Sequence, residues 1–234
     1  MKKKFGIILF LIILVADLIA VFLNNESWRY FTKPFVVISL IVYFILQTSS
    51  IQSDLKKWIL LALVFSLGGD IFLLFESKDP VFFLLGLSSF LIAHIFYIVF
   101  FHFVRIRENI AGNILLLLVV VVYYTALMTI LSPYLESLKL PVRIYGVVIS
   151  FMLLLALHTG SITNKNASLM MIIGAVLFII SDSLLALNKF YASFDYAGIA
   201  VMLTYGLAQL FIAEGAIKYI RGSEKSIKTN LKAL

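Results

Sequence analysis

Residues 5–23 read FGIILFLIILVADLIAVFL, an apolar run interrupted by a single charge, Asp17. A run of about 20 apolar residues crosses the hydrocarbon core of a bilayer as a helix. Seven further apolar stretches follow at 33–47, 58–75, 81–104, 111–131, 142–160, 168–188 and 196–220. The links between them, such as Gln47 to Lys57 and Ser161 to Ala167, are too short to hold a folded domain. A lone strand cannot cross lipid because its backbone groups would go unpaired, and the alternating segments of a barrel are absent. The expected fold is therefore an all-α integral membrane protein of eight transmembrane helices over residues 1–220, followed by a basic cytoplasmic tail over 221–234. The stretch at 33–47, which opens on Lys33-Pro34, is the shortest, and Pro34 is expected in its first turn, where a proline is tolerated.

Composition agrees with lipid as the solvent. The chain of 234 residues is 62% hydrophobic and 13% charged, against roughly 45–50% and 25% in ordinary soluble domains. Its formal charge of +7 does not indicate nucleic acid, because the cations sit at helix ends and in the tail rather than on one face. Lys2, Lys3, Lys4, Lys56, Lys57, Arg105, Arg107, Lys165, Lys218, Arg221, Lys225, Lys228 and Lys232 fall on the side of the N-terminus, and the other 6 of the 19 basic residues fall opposite. By the positive-inside rule both termini are expected in the cytoplasm, and the brevity of the chain points to a bacterial inner membrane. Met1-Lys2-Lys3-Lys4 with the apolar run after it has the form of a signal peptide, but no small-x-small cleavage site follows, so it is read as a retained first helix. Without cysteine there is no disulfide, thiol nucleophile or thiolate metal site.

Ionisable residues at membrane depth are costly and point to function. Four such candidates are singled out: Asp17, Asp70, His94 and Asp182. Counted at 1.5 Å per residue, Asp70 lies ~18 Å and Asp182 ~21 Å from the cytoplasmic ends of their helices, so the two can share one depth. Their contexts also correspond. Gly69-Asp70-Ile71-Phe72-Leu73-Leu74 has a counterpart in Ser181-Asp182-Ser183-Leu184-Leu185-Ala186, and Ala93-His94 with Tyr97 has one in Ala208-Gln209 with Tyr205. The pattern is that of two degenerate four-helix repeats of like orientation, which place shared sites at their interface.

Two carboxylates at one level of a dry site are the arrangement in which one carries a proton and the other does not, an acid and a base. The bland reading is polar glue, each aspartate bonding a neighbouring helix through Ser181, Ser183 or a tyrosine. His94 and Tyr97 share a helical face, as do Tyr205 and Gln209. Asp17 has no polar neighbour on its own helix and is read as packing or facing a solvated vestibule, outside the site. Lys33 is expected near phosphate depth, either snorkelling or contacting a substrate phosphate roughly 10 Å from the aspartates. No metal site is expected, since His94 and His102 lie ~12 Å apart along one helix and His158 lies near the cytoplasmic end of its own helix. No GxSxG elbow, Walker loop or HExxH is present.

The set Lys33-Pro34, Gly69-Asp70, Leu73-Leu74, Gly86-Leu87, Phe90-Leu91, Ala93-His94, Tyr97, Gly174-Ala175, Leu177-Phe178, Ser181-Asp182, Leu185-Ala186, Phe190, Tyr205, Ala208-Gln209 and Ile212 resembles the YhhN-like membrane proteins, which include the animal lysoplasmalogenases. That resemblance implies eight helices and hydrolysis of the vinyl ether bond of a lysoplasmalogen to a fatty aldehyde and a glycerophospho-ethanolamine or -choline. Its partners would be a lysophospholipid substrate and the surrounding membrane lipids, without a cofactor. Asp70 and Asp182 are then the expected catalytic pair, with Lys33, His94, Tyr97, Ser181, Tyr205 and Gln209 binding substrate or orienting acid, water and headgroup. Parallel repeats with midplane acids also describe a proton-coupled transporter of a small or lipid-like solute, and a lipid-binding scaffold is a third reading.

Overall fold

A computed structural model describes residues 3–232, with side chains through residue 224. The side chains of residues 225–232, and residues 1, 2, 233 and 234, lie outside the description, and with them most of the expected basic tail. Eight helices are long and apolar enough to cross a membrane: α1 (Lys3–Phe22), α2 (Glu26–Thr48), α3 (Leu55–Leu74), α4 (Val81–Arg107), α5 (Ile114–Leu131), α6 (Lys139–His158), α7 (Lys165–Ala186) and α8 (Ala197–Lys232). The protein is an all-helical integral membrane protein.

Asparagines start three of these helices. The side chains of Asn25, Asn113 and Asn164 accept from the backbone N–H of Trp28, Leu115 and Ala167 at 3.1, 2.9 and 3.1 Å; each occupies an otherwise unpaired donor of the first turn. Asn25 matters most. Asn24, at φ 50°, turns the chain sharply after α1, a left-handed conformation that asparagine tolerates. Helix α2 therefore begins at Glu26, seven residues before the apolar stretch that marks it in the sequence. Pro34 is consequently not in the first turn but inside the helix, where it offers no N–H to the Tyr30 carbonyl. The extra turns carry Arg29 and Lys33 into the interior of one end of the bundle.

Hydrophobicity alone does not bring these helices together, since lipid tails are as apolar as leucine; close backbone packing does. Helix α7 meets α8 at two glycines. A Cβ on Gly174 would lie 2.8 Å from the Ile212 nitrogen and 2.9 Å from the Ala208 carbonyl, and one on Gly215 would lie 2.9 Å from the Ala167 carbonyl. Across α3 and α4, Gly69 seats the ring of Phe90. The outer faces are lipid-facing in character: Ile8, Ile12, Val15 and Ile19 of α1 are exposed, as are Leu115, Leu118, Val119 and Val122 of α5. Helix α5 is the most peripheral, burying only Val120, Met128 and Leu131. At the end that holds the termini, buried Glu214 of α8 accepts from Tyr43 of α2 and pairs with Lys3 of α1 at 2.5 Å.

Replacing Gly174 by valine forces α7 off the α8 backbone and is expected to lower stability by about 1–3 kcal/mol. Gly160→Ala, whose Cβ would meet only a flexible Ile172 methyl at 3.7 Å, is expected to be neutral. Thermal unfolding of the two variants in one detergent makes the comparison.

Candidate active site

A cavity of about 230 Å³ lies inside the bundle, walled by Lys33 of α2, Asp70 of α3, Phe90 of α4, Tyr145 of α6, Ser181 and Asp182 of α7 and Tyr205 of α8. The two aspartates thus share one wall system, as the depth count anticipates. Between them the lining is apolar, including Leu73, Phe83, Leu87, Leu185 and Met202, so an alkyl chain and two carboxylates fit in the same space.

Asp70 is sealed, with 2% of its side chain exposed. The Lys33 Nζ stands 3.6 Å from its Oδ1, and the Tyr205 hydroxyl donates to its Oδ2 at 2.7 Å. Behind Tyr205, the Gln209 amide N–H donates to the tyrosine oxygen at 3.3 Å, and the Tyr97 hydroxyl donates to the Gln209 carbonyl. Every donor in this chain therefore points toward Asp70, which is how a buried carboxylate is held. Lys33 departs from its expected place. It is buried and paired with Asp70 rather than separated from it by roughly 10 Å at phosphate depth, because the early start of α2 puts it two turns inside the helix.

Asp182 differs. Its side chain is 16% exposed, and its Oδ2 alone is held: the Tyr145 hydroxyl donates to it at 2.5 Å and His94 Nε2 stands 3.3 Å away. His94 Nε2 is also 2.9 Å from the Tyr145 oxygen. With Tyr145 directing its hydrogen to Asp182, both neighbours of Nε2 act as acceptors, so Nε2 bears a hydrogen. His94 Nδ1 is buried without a partner. The Asp182 Oδ1 makes no hydrogen bond among the described residues and is left to the cavity.

The sequence-derived candidates therefore separate into two groups. Lys33, Asp70, Ser181, Asp182 and Tyr205 line the cavity, whereas His94, Tyr97 and Gln209 do not and touch it through Asp182 and Tyr205. Ser181 donates to the Val201 carbonyl at 3.0 Å and so ties α7 to α8 as well. His94 and Tyr97 share a face of α4 but serve different carboxylates. Tyr145 is a contact that sequence reasoning misses, as one tyrosine among 11 on a helix with no other buried charge to direct attention to it. Asp17 is fully buried, and its polar neighbour comes from another helix: Thr32, next to Lys33, donates to its Oδ1 at 2.6 Å while Oδ2 has no partner. Asp17 does not line the cavity. Among the described residues no three histidine, aspartate or glutamate side chains are grouped to hold a metal ion.

Fold and site define an eight-helix membrane protein in which Lys33, Asp70 and Asp182 meet on one internal cavity. The chain belongs to the YhhN family, whose family model matches residues 28–216. It is 33% identical over 164 residues to the mouse (Mus musculus) protein named lysoplasmalogenase TMEM86B, a match covering 70% of this chain and 65% of that one. It is 31% identical over 163 residues to human (Homo sapiens) lysoplasmalogenase TMEM86A, covering 68% and 65%. A Mycobacterium tuberculosis protein named lysoplasmalogenase is 27% identical over 163 residues, covering 68% and 60%. The matches thus span just under two thirds of these relatives' length. No solved structure matches the chain. Every residue on the cavity wall falls inside the family match, whereas α1, with Lys3 and Asp17, falls outside it.

Because a buried ion pair fails when one partner is removed, Lys33→Met is expected to lower stability by about 3–5 kcal/mol. The double variant Lys33→Met/Asp70→Asn is expected to recover most of that loss. Unfolding in detergent of both single variants and the double variant measures the coupling.

Proposed function

We propose that this protein is a lysoplasmalogenase-like ether hydrolase that cleaves the vinyl ether bond of a lysophospholipid at the paired aspartates Asp70 and Asp182. The observation carrying the reading is the unequal pair on one apolar cavity: a sealed carboxylate held by an ammonium and a phenol, and an open one with a free oxygen. The names of the relatives agree with it.

A vinyl ether hydrolyses by protonation of its β-carbon, which generates an oxocarbenium ion at the α-carbon. Asp182 Oδ1 supplies this proton from the cavity side. The fixed negative charge of Asp70 faces the developing cation across the cavity, as a preorganised electrostatic partner. Water then adds to the α-carbon and returns a proton to the Asp182 carboxylate. The hemiacetal formed collapses as its hydroxyl loses a proton and the departing glycerol oxygen gains one, releasing a fatty aldehyde and a glycerophospho-alcohol; one water is consumed. The division between acid and charge parallels that of glycosidases, whose transition state is a similar cation. Tyr145 and His94 hold Asp182 Oδ2 so that Oδ1 faces the substrate. Tyr97 and Gln209 act on Asp70 through Tyr205. No metal is required by this scheme.

Detergent-purified protein is expected to release fatty aldehyde from a lysoplasmenyl-ethanolamine with a chelator present. Asp182→Asn and Asp70→Asn are each expected to lose roughly 10²–10⁴-fold in rate. Full activity in either variant overturns the paired-aspartate mechanism, and proton-driven solute uptake without aldehyde release favours a transporter instead.

We place both termini in the cytoplasm of a bacterial inner membrane, on the charge bias across the eight helices. Since the chain has no native cysteine, a single Ser137→Cys, between α5 and α6, is expected to react with a membrane-impermeant maleimide in intact cells. A single Ser53→Cys, between α2 and α3, is expected to react only after lysis. The reverse pattern inverts the topology.

A further inference from the structure

The internal cavity opens into a second, wider one. A vestibule of about 770 Å³ lies at the bundle end away from the termini. Arg29, Lys33, Leu73, Glu76, Phe83 and Lys189 line both spaces, so the two are continuous and these residues form the neck. Three of the six are cations, and their states differ. Lys33 is taken by Asp70 at 3.6 Å. Lys189, carried on a π-helical turn at Leu187–Tyr191 after α7, is paired with Glu76 across the neck and lies 4.3 Å over the Phe83 ring. Arg29 has neither kind of partner: its Nε is buried without a hydrogen bond, and its guanidinium forms no ion pair among the described residues.

A guanidinium with a buried, unused Nε–H donor and no ion-pair partner is a site for a planar or tetrahedral oxyanion. We infer that the neck and vestibule form a headgroup site for a zwitterionic phosphate ester. The phosphate lies against Arg29 and Lys189, and the ammonium lies against Glu76, with Glu26 at the outer rim. The inference rests on the lysophospholipid reading above and assigns its specificity to residues outside the aspartate cavity's catalytic pair.

Charge balance selects the zwitterion. Glu76 and Lys189 neutralise one another across the neck, and Arg29 and the rim Glu26 carry opposite charges on the same wall, so the four sum to zero. A ligand bearing one phosphate and one ammonium keeps that sum, its phosphate taking Arg29 and Lys189 and its ammonium taking Glu76. A phosphate without an ammonium draws Lys189 from Glu76 and adds a net negative charge beside it, which is the arrangement that discriminates against it. The spacing also agrees. Arg29 precedes Lys33 by four residues, ~6 Å along α2, a separation that a three-carbon glycerol unit spans, so a phosphate at Arg29 puts the ether at the far end of the glycerol beside the aspartate cavity. Phosphate recognition thus falls to Arg29, one turn nearer the mouth than Lys33.

The test uses saturated alkyl ether lipids, which carry no vinyl ether and so report binding without chemistry. Three are compared on the full-length protein in detergent by calorimetry: an alkyl lysophosphoethanolamine, an alkyl lysophosphoglycerol and an alkyl glycerol without phosphate. The phosphoethanolamine lipid is expected to bind the unaltered protein on the order of tenfold tighter than either of the others. Arg29→Gln is expected to abolish the preference over alkyl glycerol, and Arg29→Lys to retain part of it. Glu76→Gln is expected to abolish the preference over the phosphoglycerol lipid while keeping that over alkyl glycerol. Equal affinity of the unaltered protein for all three lipids overturns the inference, whether or not any variant folds; so does an undiminished phosphate preference in Arg29→Gln. Because no hydrolysis is read, failure of aldehyde release leaves this test standing. Intact aldehyde release with no headgroup preference overturns the headgroup site alone.

Discussion

A carboxylate inside a bilayer is costly unless a cation or hydrogen-bond donors reach it, and the contact of Lys33 with Asp70 offsets that cost at the centre of this bundle. Its consequences run outward. To bring Lys33 to Asp70, α2 must begin early, which needs the sharp turn at Asn24 and the cap at Asn25. To complete the donors around Asp70, α8 must come close enough for Tyr205 to donate to it, which needs the glycine contact between α7 and α8. Gln209 and Tyr97 then fill the second rank, linking α4 to the same group. One buried charge thereby fixes the relation of α2, α3, α4 and α8.

The second carboxylate is built on the opposite principle. Asp182 has its donors on one oxygen, from α6 and α4, and the other oxygen is free. The partners cross between the two parts of the chain: Asp70 takes its phenol from α8, and Asp182 takes its histidine from α4. Each aspartate therefore draws partners both from nearby helices and from distant parts of the chain, and the cavity lies where these meet. The difference in exposure between the two acids is a difference in packing, which leaves Asp182 more open to the cavity and Asp70 enclosed by its partners.

Helix α1 stands somewhat apart. It lies outside the residues matched by the family model, yet it places buried Asp17 against Thr32 beside Lys33 and ties its own start to Glu214 of α8 through Lys3. It braces α2 from behind, so the position of Lys33 depends on a helix that contributes nothing to the cavity wall. At the start of α2, the same early beginning that buries Lys33 carries Arg29 into the neck between cavity and vestibule.

Much of this was legible in the residues. Runs such as 5–23 identify membrane helices because lipid leaves the backbone no alternative, and Asp70 and Asp182 stand out because a charge at that depth is rare. The start of α2 is not legible: NESWRYFTKP reads as a polar link until Asn24 and Asn25 are seen to turn and cap it, so Lys33 and Pro34 are expected at the start of the helix and lie two turns inside it. Tyr145 and Arg29 carry no local signal, since a tyrosine or an arginine near a helix end looks the same whether or not anything faces it, and the sequence does not show that Thr32 faces Asp17. The sequence by itself determined that this chain folds in lipid as eight helices with acids inside, because hydropathy is a property of each segment alone. Which donor meets which acid, and which oxygen stays free, was decided only by the tertiary structure, because those contacts join helices far apart in the chain and depend on how closely their backbones approach.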